Sequence, residues 1–129
     1  MRNKFLAAAA FCLASAGYPT LAQACPDYML SGQTFQAAGS EFYSPRTFDV
    51  TAGGNTPLSA CPNVNPLTDT SPGFVVDRPD FTFSLREMGA YTLEISVISK
   101  CDAVLLVNTG RANWYYDDDD NGNYDPKIV

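Results

Sequence analysis

The chain contains no histidine. That removes Ser-His-Asp and Cys-His triads, H-E-x-x-H zinc sites and imidazole general bases from the chemistry open to it. Basic residues are few: 8 Lys and Arg stand against 14 Asp and Glu, a net charge of −6. So acidic a chain is a poor partner for nucleic acid or an anionic membrane, since both are bound through Lys and Arg. No C-x-x-C pair occurs, which excludes the common zinc spacings. Gly53-Gly54 is followed by neither Lys-Ser/Thr nor a helix, so no phosphate-cradling loop is present. After the N-terminal segment no apolar period of 3.6 residues persists for three turns, and helices are not expected. Glu41, Glu87 and Glu94 lie scattered, which argues against the paired carboxylates of glycoside hydrolysis.

What is present begins with an export signal. Arg2 and Lys4 form a positive start, Phe5 to Ala16 an apolar run, and Ala22-Gln23-Ala24 a small-x-small cleavage site. The reading is a signal peptide over 1–24 and one domain over 25–129, periplasmic or extracellular. The apolar run is shorter than the roughly 20 residues of a spanning helix, so no membrane insertion is expected after cleavage. Arg2 and Lys4 leave with the signal, so six basic residues then face fourteen acidic ones, a net charge of −8.

Cys12 leaves as well, and Cys25, Cys61 and Cys101 remain. In an oxidising compartment such residues pair. Three allow one disulfide and one odd thiol, with the choice of pair left open.

Strand signals are short and turn signals frequent. Gln33 to Ala38 and Arg46 to Thr51 read as strands, with a turn at 52–55 between the latter and a long polar connection over 57–80. Within that connection only Phe74-Val75-Val76 is strand-like. Phe81, Phe83 and Leu85 alternate with Thr82, Ser84 and Arg86, and Tyr91, Leu93, Ile95 and Val97 alternate with polar residues. Cys101 to Val107 is an apolar run closed by Asn108-Thr109-Gly110, and Ala112 to Tyr116 is a short aromatic run. The pattern predicts an all-β fold, a single antiparallel β-sandwich of jelly-roll type.

Asp117-Asp118-Asp119-Asp120-Asn121-Gly122-Asn123-Tyr124-Asp125 follows the aromatic run and fits D-x-D-x-N-G. Alternate side chains of a tightly turning loop converge on its inside, and Gly at the sixth position permits the bend, so several oxygens can meet one hard cation. Calcium would take Asp117, Asp119, Asn121, Asn123 by its backbone carbonyl, and Asp125. The twelfth position is Ile128 in place of a bidentate Glu, which weakens such a site. The competing reading is a solvated acidic turn without metal. Trp114, Tyr115 and Tyr116 are candidates for a sugar-stacking platform, and the competing reading for them is packing.

The order of strand, Asp102-Ala103-Val104-Leu105-Leu106 strand, Gly turn, aromatic strand and Asp-rich loop, led in by Gly89 and Tyr91, resembles a bacterial pre-peptidase C-terminal domain. The resemblance implies a β-sandwich accessory module of exported proteins, non-catalytic, acting in binding, in folding support for a partner or at the cell surface, with a protein or a polysaccharide as the expected ligand. In that family a further strand follows the Asp loop, so Lys127-Ile128-Val129 reads as the opening of a strand and the domain as one missing its last strand or strands. The second functional reading is a calcium-assisted carbohydrate-binding module.

Overall fold

The computed structural model describes residues 24–129; the signal-peptide reading falls on residues outside them. The described chain is β-rich, with two 3₁₀ turns at Gly39–Phe42 and Leu58–Ala60 as its helical elements. Eight strands occur: β1 Gln33–Ala38, β2 Thr56–Pro57, β3 Phe74–Val75, β4 Phe81–Arg86, β5 Ile95–Ser96, β6 Leu105–Asn108, β7 Trp114–Asp117 and β8 Lys127–Ile128. They pair two by two, as β1–β4, β2–β3, β5–β8 and β6–β7. The β1–β4 pair is parallel, with Gln33 opposite Phe81 and Ala38 opposite Arg86; the other three are antiparallel. The expectation of purely antiparallel pairing is therefore corrected. A parallel pair needs a long crossover, and the whole of residues 39–80 supplies it.

Two packed regions hold these ribbons. In the first, Leu58, Cys61, Val64, Val75 and Tyr116 are buried together, with Cys25, Val104, Leu106 and Trp114 packed against them. Much of this core comes from the 57–80 connection. Its backbone is satisfied by local turns, such as Cys61 N–H to Leu58 O at 2.9 Å and Val64 N–H to Cys61 O at 3.0 Å. A Cys25–Cys61 disulfide ties the beginning of the described chain to this core, which fits an oxidising compartment. Cys101 is the exposed free thiol.

The second region is aromatic. Phe81 and Phe83 project from one face of β4, and Phe35 from β1 lies 5.6 Å from Phe83, centroid to centroid. Phe48 joins them at 4.6 Å from Phe35, and the Arg46 guanidinium lies over the Phe48 ring. Residues 46–51 form no strand, contrary to expectation. Phe48 is held by three aromatic neighbours, Phe35, Phe81 and Phe83, and that packing takes the place of ladder pairing in this stretch.

From Leu93 to Ile98 exposure alternates residue by residue, the signature of a one-faced strand, yet only Ile95 and Ser96 pair. The β6–β7 hairpin is longer, running from Leu105 opposite Asp117 to Asn108 opposite Trp114. Its turn is closed by Thr109 N–H to Asn113 O at 3.0 Å and Ala112 N–H to Thr109 O at 2.8 Å, with Ala112 at φ 57°.

Candidate functional site

The acidic loop joins β7 to β8. Its first residue, Asp117, ends β7 and is buried; its Oδ2 accepts the backbone N–H of Asp120 at 3.1 Å and of Lys127 at 2.7 Å. One carboxylate thereby closes the loop on itself and fixes where β8 begins. Asp125 is buried too, and its Oδ1 accepts the Ser99 N–H at 3.0 Å. Asn121 Nδ2 donates to Val97 O at 3.0 Å, and its backbone N–H donates to Asp125 O at 2.8 Å. The loop is thus sewn to the stretch just after β5. Gly122, Asn123 and Tyr124 all take positive φ, at 78°, 55° and 59°, so the sharp bend expected at the sixth loop position spreads over three residues.

Of the five expected metal ligands, Asp117 and Asp119 come together with Asp120, their carboxylate oxygens within 4.8 Å of one another. Asp125 stands apart from that group and is occupied by the Ser99 backbone, while Asn123 is exposed. A second group within the same spacing joins Asp117 and Asp118 to Asp69. Asp69 belongs to the 57–80 connection and no loop motif reaches it.

What carries Asp69 there is a set of bonds along the free edge of β7. Leu67 N–H donates to Trp114 O at 2.9 Å. Thr68 Oγ1 accepts the Tyr116 N–H at 2.9 Å and donates to Tyr116 O at 2.6 Å. Pro66 bridges Trp114 in the parallel sense. The Thr68 hydroxyl supplements these backbone bonds, and the Asp69 N–H itself donates to Tyr116 O at 3.4 Å, which delivers its side chain beside Asp118.

The carboxyls of Asp69 and Asp118 are pushed in opposite directions. The Ser71 hydroxyl, at 2.7 Å, and the Thr70 N–H hold the Asp69 carboxyl below its ordinary 3.8. Desolvation, then the hydrogen bond to Asp69 and the charges of Asp69, Asp119 and Asp117, push Asp118 above it. Among the described residues the ion pair found is Arg86 with Glu41, so these carboxylates have no basic partner in contact. A cavity of about 190 Å³ opens between Thr68, Asp117, Asp120, Lys127 and the last two residues.

The three aromatic candidates separate by strand alternation. Tyr116 is fully buried, its hydroxyl donating to Pro72 O at 3.2 Å, and it has no ring face to offer a sugar. Burial, with Asp118 and Asp69 nearby, pushes its phenol up to about 12. Trp114 lies half-buried on the same face of β7, against the core, and Tyr115 on the opposite face. They form no continuous platform. Trp114 instead lines a separate cleft with Cys25, Pro26, Asp27, Tyr28 and Asn63.

Compared with known proteins, the chain matches no family model, no curated protein and no solved structure.

Proposed function

We propose that the chain is an exported, non-catalytic accessory module, a β-sandwich of the pre-peptidase C-terminal type, whose acidic loop is held by calcium. The observation that carries the reading is the gathering of Asp69, Asp117, Asp118, Asp119 and Asp120 from two separate segments, with no ion pair to a basic side chain among the described residues. Like charges so close oppose the fold unless a proton or a cation neutralises them. Asp118 illustrates this: its raised pKa is a contribution present in acid and lost as pH rises through the folded value, so near neutrality the ion-free loop is at a disadvantage. A hard cation with oxygen ligands removes that disadvantage, and exported modules bind calcium at about 10⁻⁴–10⁻³ M.

The disulfide and the acidic surface support the exported setting, periplasmic or extracellular, and the alternation along β4 and residues 93–98 supports the sandwich. The role is binding or fold support for a protein or polysaccharide ligand.

The test is thermal unfolding of residues 25–129 in calcium, in magnesium and in chelator. At 10 mM calcium, the affinity range above gives about 1.4–2.7 kcal/mol of added stability. The gain should shrink in Asp119→Ala and Asp69→Asn, and fall as pH drops through the Asp118 titration. A melting temperature unmoved by calcium sinks the site. Turnover of casein or simple glycosides, abolished by one Asp or Glu substitution, sinks the non-catalytic reading.

A further inference from the structure

The cleft beside the disulfide lies apart from the acidic loop chemistry. It measures about 360 Å³ and is lined by Cys25, Pro26, Asp27, Tyr28, Asn63 and Trp114, within the range of small-molecule sites of about 300–1,000 Å³. Its parts come from three places in the sequence. The Cys25–Cys61 bridge fastens residues 25–28 beside Asn63, and Pro66 bridging Trp114 holds the 61–66 stretch against β7. Asp27 is oriented as well: its N–H donates to Asp77 O at 3.0 Å, and its Oδ1 accepts the Met29 N–H at 2.8 Å. The cleft is thus built on covalent and hydrogen-bonded supports.

We infer that this cleft binds a neutral sugar ring, with Trp114 and Tyr28 supplying apolar ring surface and Asn63 and Asp27 supplying hydroxyl partners. Tyr28 is 61% exposed and lines the cleft together with the half-buried indole of Trp114. Rings of this kind present an apolar face and, in Tyr and Trp, a polar edge, which suits the C–H faces and hydroxyl rims of a pyranose. Asn63 is exposed at the cleft, and its amide offers two donors and an acceptor to a ligand. Oδ2 of Asp27 accepts nothing from the described residues and adds a strong acceptor. Among the described residues no Lys or Arg side chain lines the cleft and Asp27 does, in a chain of net negative charge, which disfavours an anionic ligand. A purely apolar ligand would leave Asn63 and Asp27 desolvated and unpaired.

Trp114 is the only tryptophan, so its emission reports on this cleft with no other indole to obscure it. Residues 25–129 are titrated with neutral tri- and tetrasaccharides of glucose, mannose, galactose, xylose and N-acetylglucosamine. Titration runs to about 10 mM, where a site with a Kd of about 1 mM is nine-tenths filled. The expected result is a saturable change in emission with at least one sugar, weakened about tenfold or lost in Tyr28→Ala and in Asn63→Ala. Both residues are exposed, so the variants should melt like the parent and keep the same response to calcium, which separates this outcome from failure of the acidic-loop reading. No saturable change with any sugar overturns the inference. So does a change that persists unaltered in the Tyr28→Ala/Asn63→Ala double variant.

Discussion

Removing the Cys25–Cys61 bridge should bring the domain close to unfolding. The two cysteines lie 36 residues apart in sequence, and closing a loop of that length in the unfolded chain is worth about 3.8 kcal/mol in the chain-entropy account. A domain of this size has about 5–15 kcal/mol in all. With an unfolding entropy of about 2.1 cal/mol/K per residue, the loss corresponds to a fall in Tm of about 17 °C. Packing adds to this, because Cys61 is 2% exposed and sits among Leu58, Val64, Val75 and Tyr116. Calorimetry on Cys25→Ala/Cys61→Ala, with Cys101→Ser as control, measures the effect. The control should melt like the parent and remove the single reactive thiol found under denaturing conditions, since Cys101 is exposed and unpaired. A double variant melting within about 5 °C of the parent would refute the reasoning. It would mean that the unfolded chain already keeps residues 25 and 61 together, or that a different pair carries the bond.

Two further outcomes follow from particular residues. The Tyr116 phenol, raised to about 12 by burial, stabilises the fold fully below pH 10 and loses that contribution as pH climbs from 10 to about 12; phenolate absorbance should show it as the last tyrosine to titrate, and simultaneous titration of all of them near 10 would contradict its burial. Ala112 sits at φ 57° in the β6–β7 turn, a left-handed conformation that costs an L-residue about 1–2 kcal/mol, so Ala112→Gly should raise stability by about 0.5–1 kcal/mol in urea unfolding, after allowance for the greater freedom of glycine in the unfolded chain.

Much of the local structure was legible in the residues. The bounds of β1 and β4 coincide with the runs Gln33 to Ala38 and Phe81 to Arg86: Gly32 and Gly39 bracket the first, and period-2 alternation marks the second as a strand with one covered face. Their parallel partnership was not legible. Alternation says which face is apolar and nothing about which strand lies alongside or in which direction. Residues 46–51 had the composition of a strand and none of its pairing, because Phe48 is satisfied by rings in place of a ladder. At the acidic loop, the D-x-D-x-N-G spacing marked Asp117 and Asp119, and the structure brings them together. Asp69 left no trace in any spacing: the Thr68 hydroxyl and the Asp69 N–H, which place it, both bind Tyr116, 48 and 47 positions away. The aromatic run around Trp114 was visible as a run, but strand geometry divides it between two faces.

The parallel β1–β4 pair has a consequence for how fast this molecule reaches its native state. Gln33 must find Phe81, 48 positions along the chain, and the Thr68–Tyr116 junction spans an equal distance. Chains dominated by such non-local contacts fold in about milliseconds to seconds, since loop closure precedes any compensating contact. Prior formation of the bridge shortens the first search, because the route from Gln33 to Phe81 then runs through eight residues to Cys25 and twenty beyond Cys61. The logarithmic dependence on loop length makes that shortcut worth only about twofold in closure probability. Oxidation therefore does little to hasten the meeting of β1 and β4. During that interval the apolar faces of both strands, with Phe35, Phe81 and Phe83, stand uncovered, and this is the period in which neighbouring chains can capture them.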